Sequence, residues 1–527
     1  MSSGPVTGVE PAVGAARATW WYRLRRPVLA LAAGLSMAAA FPEPGWSYLA
    51  PVSVALFTLA CWRARLRVGF GCGLLSGVVF YLVLLSWLRV IGVDAWLLLS
   101  VLWSLWLALL GLATALVASR LRWWPIAVAA LWVLQEAVRD RVPWGGFPWG
   151  RLAFSQPESS FTPLAALGGA PLVTFAVALV GALLASAVLS LRARGWTAGA
   201  VAAAVAVLVT VVGLAVPLPA AGQPSPAEAR LAVVQGSVPQ PGLDFNSRRR
   251  AVLENHVSET MLLADKVRRG EVPQPDAVIW PENSSDVDPY ADVAAAKRIA
   301  AAADAIGVPI LVGAVVTVPT DVSKLWNIGI VWDPTTGPGD VYIKRHPVPF
   351  GEYLPGREVL GGLVDRFQRI PRDFQGSDDP GVLQLGPARI ADVICFEIAY
   401  DSIVRDAVRA GGRVLVVQTN NATYGGTAQP AQQVAMSQLR AVEHGRGVLV
   451  AATSGISAIM SADGSVVARL PENVPGSIVQ QVPLRDTLTI ADRLGFWPEL
   501  LGCIAALVAL VLAARRLAGD RRRRRSG

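Results

Sequence analysis

The sequence predicts two parts built for two solvents: a multi-span α-helical membrane domain, and an α/β domain whose sheets are covered by helices. Three observations lead there. Of the 527 residues 53% are hydrophobic, and a mean hydropathy of +0.46 is too high for a wholly soluble chain. The charged residues, 16% in all, are unevenly spread, with long apolar blocks filling the first 220 positions and most acids falling between 228 and 493. From residue 229 onward, short β-branched runs alternate with helical stretches.

A bilayer core of roughly 30 Å takes about 20 apolar residues of helix. Eight segments answer to that, at 27–42, 46–62, 68–88, 94–118, 123–138, 163–191, 197–217 and 496–514. Spans keep recurring after the first, which argues against a lone signal peptide. Arg23, Arg25 and Arg26 precede the first span; Arg63, Arg65 and Arg67 follow the second, Arg120 and Arg122 the fourth, Arg192 and Arg194 the sixth. With Arg515, Arg516 and Arg521 to Arg525 after the eighth, all lie on one side. The positive-inside rule makes that side, and both termini, cytoplasmic, so the polar block faces outward. Arg89, Arg139, Arg141 and Arg151 fall on the outer side and oppose the tally. Two readings of Arg139 and Arg141 stand open: structural ion pairs, or an interfacial site near phosphate headgroups with the Trp-bearing loop Pro143 to Gly150.

The formal charge of +9 is therefore read as topology signal. No basic groove with interleaved aromatics accompanies the arginines, which excludes nucleic acid as a partner. The organisation expected is a cytoplasmic tail over 1–26, a seven-helix membrane domain over 27–217, a Pro/Ala/Gly/Ser-rich linker over 218–228, an extracytoplasmic α/β domain over 229–493, an eighth span over 496–514 and a basic tail over 515–527. In the α/β domain, strands are expected at Leu231–Val234, Ala277–Trp280, Ile310–Val316, Ile328–Trp332, Ile390–Cys395, Val414–Gln418, Val448–Ala452 and Ala458–Ser461. Helices are expected near 247–268, 291–305, 398–410 and 429–445. No phosphate loop is present; Gly425-Gly426 lacks the strand-to-helix context of a dinucleotide site.

Of four cysteines, Cys61, Cys72 and Cys503 sit in apolar spans, where a small buried hydrophobe is the ordinary explanation. Cys395 is the one in the exported block, so no disulfide forms within it, and an unpaired exported thiol asks for a reason. Its apolar strand stops at the cysteine and a helix follows, a turn that holds a nucleophile at a sheet edge. A thiol with pKa near 8.5 needs a base or a cation to attack an ester. Two other apolar runs close in one charged residue each: Trp280-Pro281-Glu282 in an acid, Val341-Tyr342-Ile343-Lys344 in a base. Either alone is an ordinary solvated strand end; the three together suggest a carboxylate, an ammonium and a thiol at one sheet edge. Of His256, His346 and His444, His346 is the rival base, and no spacing among the three suits a metal.

Trp280-Pro281-Glu282, Lys344 followed by His346-Pro347-Val348-Pro349-Phe350-Gly351-Glu352-Tyr353-Leu354-Pro355, and Cys395-Phe396-Glu397 resemble, in order and spacing, the three motifs of the carbon-nitrogen hydrolase, or nitrilase, superfamily. Seven spans before such a domain and one after it are similar to the bacterial apolipoprotein N-acyltransferases. The resemblance runs the full length. It implies an αββα sandwich, with Glu282 as general base, Lys344 supporting the oxyanion and Cys395 as nucleophile; Glu352 and Glu397 match further acidic positions of the site. It departs from the pattern at Phe396, where many relatives carry Tyr, at Phe245, the nearest aromatic to a position where relatives often place Trp, and over Asn420 to Gly425, to which no catalytic task is assigned.

The resemblance further implies an acyltransferase of the bacterial cell membrane that moves an acyl chain from a phospholipid through a Cys395 thioester to the α-amino group of a lipoprotein's diacylglyceryl-cysteine. The donor is already an ester, so no cofactor is called for. Some actinobacterial relatives are joined to, or work beside, a polyprenol-phosphate mannose synthase; no stretch here fits that domain, so such a partner would be a separate protein. The alternatives are a membrane-anchored nitrilase-like amidohydrolase using the same residues with water as acceptor, and a non-catalytic membrane scaffold.

Overall fold

A computed structural model of the protein describes residues 12–219, 227–238, 245–360 and 372–526. Helices stand at all eight expected apolar segments. Seven come first: α1 (Ala12–Ala39), α2 (Leu49–Cys61), α3 (Leu66–Leu84), α4 (Val93–Ala118), α5 (Trp124–Arg139), α6 (Ala165–Arg192) and α7 (Trp196–Val212). Five helical stretches, Leu66–Leu84, Val93–Ala118, Thr162–Arg192, Trp196–Ala215 and Trp497–Arg523, are each long and apolar enough to cross a membrane. The other three fall short for visible reasons. α2 and α5 have 13 and 16 residues, less than a roughly 30 Å core needs at about 1.5 Å per residue. α1 carries three arginines in its first half.

Within the bundle, α3 and α4 touch backbone to backbone. A Cβ at Gly73 would sit 2.1 Å from the Leu107 carbonyl oxygen, and one at Gly111 would sit 2.3 Å from that of Gly69. Close packing of this kind holds helices together where lipid offers no hydrophobic drive between them.

The polar block continues with β1 (Glu228–Gln235), α8 (Phe245–Arg268), β2 (Ala277–Ile279), α9 (Val293–Ile306), β3 (Ile310–Val318), β4 (Asp321–Asp333), β5 (Gly337–Ile343), α10 (Arg357–Leu360), β6 (Val382–Leu385), β7 (Ala388–Ile394), α11 (Asp401–Arg409), β8 (Val414–Thr419), α12 (Gln429–His444), β9 (Val448–Ala452), β10 (Ala458–Met460), β11 (Val466–Arg469), β12 (Gly476–Pro483), α13 (Ile490–Leu494) and α14 (Trp497–Ser526). Two six-stranded sheets result, ordered β12-β1-β2-β3-β4-β5 and β11-β10-β9-β8-β7-β6. Their inner faces meet through Leu231, Val233, Leu311, Ile390, Ile394, Val414, Val416 and Leu449. α8 and α9 cover the first sheet through Leu253, Val257, Ile299 and Ala303. The second is covered by α11 and α12, whose Ile403, Val404, Met436 and Leu439 belong to one continuous apolar core with the membrane helices. The α/β domain thus stands on its α11/α12 layer.

Four differences from the sequence reading have physical causes. The strand expected to include Cys395 ends at Ile394, because Cys395 takes a φ of +57° and opens a 3-10 turn. β6, β11 and β12 went unread: two have four residues, and the polar, half-exposed β12 is an edge strand paired antiparallel with β1 from the far end of the domain. α14 runs on through the arginines expected as a tail, and α1 begins inside the other tail at Ala12; Arg and Ala are good helix formers. The apolar loop Val359 to Phe374 lies mostly outside the described residues, as do linker residues 220–226 and the Phe245 side chain.

Candidate active site

The parallel strands β2, β7, β8 and β9 and the strand β5 end at one edge, where open α/β sheets present their reactive loops. Glu282 follows β2, Lys344 follows β5, Cys395 follows β7 and Asn420 follows β8, so four distant stretches deliver side chains to one place.

Lys344 is 2% exposed, and its Nζ donates to Glu282 Oε1 at 3.2 Å and to Glu352 Oε1 at 2.9 Å. Burial pulls this ammonium down, but Glu282 and then Glu352 outweigh it and hold the group well above its usual range. Asn327 Nδ2 donates to the same two oxygens, at 2.7 Å and 2.9 Å, and the Asn420 N–H donates to Glu282 Oε2 at 2.9 Å. Glu352 Oε2 accepts the Val348 N–H at 2.7 Å. Glu282 is therefore buried, ionically paired and oriented by three donors. Glu352 shares the cation and holds it in place.

Cys395 sits in the left-handed region, which costs a non-glycine residue roughly 1–3 kcal/mol and persists when neighbours hold it. Gln433 Nε2 donates to the Cys395 carbonyl at 3.0 Å, and the Thr419 hydroxyl lies 3.4 Å from Sγ and 3.1 Å from Gln433 Oε1. Asn421 Nδ2 donates to Gln433 Oε1 at 2.8 Å. Burial, and next the Glu282 carboxylate, push the Cys395 thiol up to about 12, with Lys344 and Thr419 pulling the other way. The resting sulfur is a neutral thiol beside a carboxylate, not a preformed thiolate. Alkylation of Cys395 by iodoacetamide, followed by peptide mass spectrometry, is expected to climb about tenfold per pH unit from about pH 7 to 10 without levelling. A plateau below pH 8 or so would remove the need for a base.

Glu397 is fully buried and accepts four hydrogen bonds: from the N–H groups of Arg345 (2.7 Å) and His346 (3.0 Å), from Tyr342 Oη (2.9 Å) and from the Ile394 N–H (2.8 Å). Its carboxylate ties the end of β5 to the end of β7, and so Lys344 to Cys395. Phe396 packs flat against Phe147 and Trp149, with centroids 5.3 Å and 5.9 Å away, and edge-on to Tyr400 at 5.4 Å. The departure from Tyr thus trades a hydroxyl for stacking on the loop Pro143 to Gly150. Tyr400 supplies the polar contact, donating to the Gly146 carbonyl at 3.1 Å.

The histidines lie elsewhere. His346 packs on Tyr400 at 4.3 Å between centroids and over Gly145, where a Cβ would fall 2.4 Å from its Cε1. Burial and Lys344 lower its pKa, and no hydrogen bond joins it to Cys395 among the described residues. His256 is buried in α8, pushed down to about 4, and His444 pairs with Asp492 at 2.6 Å. Partners also separate the two readings of the outer arginines in favour of structural ion pairs. Arg139 donates to the Tyr81 hydroxyl and lies 3.5 Å from Asp140, while Arg141 reaches Glu499 at 2.6 Å. Arg151 bonds Asp401 of the α/β domain at 2.7 Å.

Sequence reasoning missed Asn327, Thr419 and Gln433, and it assigned nothing to Asn420 to Gly425, where Asn420 contacts Glu282 and Tyr424 packs edge-on to Trp87 at 5.1 Å. A polar residue interrupting the apolar strand Leu325 to Trp332 was the one available sign of Asn327.

Residues 33–183 match the family model of the apolipoprotein N-acyltransferase N-terminal domain, and residues 230–491 that of carbon-nitrogen hydrolase. Similar proteins include the apolipoprotein N-acyltransferase of Mycolicibacterium smegmatis, 40% identical over 503 residues, which are 92% of this chain and 84% of that one. That of Pseudomonas syringae pv. tomato is 31% identical over 508 residues, 93% of this chain and 97% of that one. Among solved structures, an amidase from Nesterenkonia sp. aligns at 16% identity and a TM-score of 0.35, over 52% of this chain and 96% of that one.

Proposed function

The chain belongs to the apolipoprotein N-acyltransferase family of bacterial membrane acyltransferases, and on that premise we propose that it carries an acyl group from a phospholipid, through a thioester on Cys395, to a lipoprotein's N-terminal amine. The observation that carries this reading is the meeting of Glu282, Lys344, Glu352 and the Cys395 thiol at one sheet edge, on the layer that stands on the membrane helices.

In the first half-reaction Glu282 takes the thiol proton as Sγ attacks the ester carbonyl of the donor. Lys344 stabilises the oxyanion, the acyl C–O bond breaks, and Glu282 returns the proton to the departing lysophospholipid oxygen. In the second, the α-amino group of a diacylglyceryl-cysteine attacks the thioester and loses a proton to Glu282. The C–S bond then breaks and the proton returns to sulfur. Glu352 positions Lys344, and Glu397 fixes the distance between Lys344 and the nucleophile. Both substrates keep their acyl chains in the bilayer, since exposing them costs about 0.8 kcal/mol per CH₂. The arginine distribution supports seven spans before the catalytic domain and one after it, with that domain outside and both termini in the cytoplasm.

Intact-protein mass spectrometry after incubation with phospholipid tests the proposal. An acyl adduct labile to hydroxylamine is expected on the unaltered protein and absent from Cys395→Ala, and added diacylated lipopeptide should take it up on its amine. Discharge to water alone would make the protein a hydrolase. No adduct under turnover conditions would remove Cys395 as nucleophile.

A further inference from the structure

Two polar side chains stand on the inner face of the second sheet, among Ile390, Ile394, Val414 and Val416. Asp392 of β7 and Gln418 of β8 are both fully buried. Across from them, on β4 of the other sheet, is Gly329. A Cβ at that position would lie 2.4 Å from Asp392 Oδ2 and 2.7 Å from Gln418 Oε1, so both oxygens aim at one point that a side chain would fill.

The orientation of the Gln418 amide is fixed, because Nε2 donates to the Trp280 carbonyl at 2.6 Å and a flipped amide would set two oxygens against each other. Oε1 is therefore an acceptor. Neither it nor either Asp392 oxygen receives a hydrogen bond from any described residue. Three acceptor oxygens without a protein donor are costly in a dry core, and an ionised carboxylate there would be costlier still. The titratable groups that act on Asp392 are Glu397, in the turn after β7, and Tyr342 of β5; both are acids, and neither supplies a cation.

We propose that Asp392 is protonated at neutral pH and donates to Gln418 Oε1, and that this neutral pair positions Glu282 by holding the Trp280 carbonyl two residues ahead of it. Burial, and after it Glu397, hold the Asp392 carboxyl well above the usual carboxylate range. On the other side the Thr453 hydroxyl donates to the Glu282 carbonyl at 3.0 Å, so the backbone is pinned before and at the residue read as the base. A neutral Asp392 also keeps another negative charge away from Cys395, three residues on, whose thiol must yield its proton. The positioning role rests on the reading of Glu282 as base; the protonation does not.

Infrared difference spectroscopy of the full-length protein against Asp392→Asn tests the protonation. The unaltered protein should show a protonated-carboxyl C=O band, sensitive to D₂O, that the variant lacks and that Gln418→Met shifts. A carboxylate stretch lost in its place would mean an ionised Asp392 and overturn the proposal. Kinetics test the positioning. Asp392→Asn keeps a donor to Gln418 and should hold kcat within about threefold, whereas Asp392→Leu or Gln418→Met should lower kcat about tenfold at unchanged KM. Unaltered kcat in both of the latter would overturn the positioning role. If Glu282→Gln left transfer intact while the infrared band persisted, the reading of the base would fail and the protonation of Asp392 would stand.

Discussion

Lys344→Met is expected to lower acyl transfer by about a thousandfold and to destabilise the protein by about 3–5 kcal/mol. The two effects share a cause. Lys344 is 2% exposed and is bonded to both Glu282 and Glu352, so removing its charge leaves one buried and one partly buried carboxylate around one Asn327 amide with no cation between them. One of the pair must then take up a proton, and a protonated Glu282 accepts nothing from the thiol. The ammonium proposed to face the developing oxyanion is lost as well. The pH dependence follows from the raised Lys344 pKa. A cation held above its ordinary 10.5 contributes stability that is complete below that value and is lost only as pH rises past it, so between about pH 5 and 9 the lysine's contribution is flat. The variant's deficit should instead shrink as pH falls and a carboxylate protonates. Thermal unfolding in detergent across that range measures it. The double variant Lys344→Met/Glu352→Gln should recover much of the stability and none of the activity. Recovery of both would mean that Lys344 only neutralises charge.

The parts legible in the sequence were those whose chemistry is written locally. Glu282 and Lys344 each close an apolar run in a single charge, and Cys395 directly follows a strand of Val and Ile, so three apolar runs set all three just past strand ends. The apolar helices were legible because lipid imposes a length and a composition on each one separately, and five of the eight expected segments meet both. What could not be read depends on contacts between stretches far apart in the chain. Asn327 lies within β4 and acts only because β5 and the segment after β2 bring Lys344 and Glu282 to it. Gln433 grips the Cys395 carbonyl from α12, and Trp87 meets Tyr424 across the boundary between membrane helices and α/β domain. β12 carries two glutamines where an inward strand would carry Val or Ile, and its partner β1 lies nearly the whole domain away. Glu397 was visible as an acid beside the nucleophile, but its clamp on the end of β5 requires the two strand ends to be adjacent.

Glu282→Gln is expected to keep the fold and to lower transfer by about 10²–10⁴-fold, the range lost with a general base. Gln is nearly isosteric, and its amide oxygen can still accept from Lys344 and Asn327. The amide N–H₂ then faces the Asn420 N–H, a local mismatch small beside the loss of a buried charge. The decisive quantity is how the residual activity depends on pH. With the proposed base gone, the enzyme would rely on whatever fraction of Cys395 is already thiolate. In the unaltered protein that thiol is held up to about 12, by burial first and by Glu282 second. Removing the Glu282 charge eases the second cause and leaves the first, so the thiol still titrates above neutral pH. Single-turnover acylation by Glu282→Gln should therefore rise about tenfold per pH unit from about pH 7 to 9, while the unaltered protein, with the proposed base beside the thiol, should be nearly flat. A flat profile in the variant at a hundredfold lower rate would place the defect in geometry instead of proton transfer. Glu282 would then be an anchor for Lys344, and the thiol's proton would have to leave by another route.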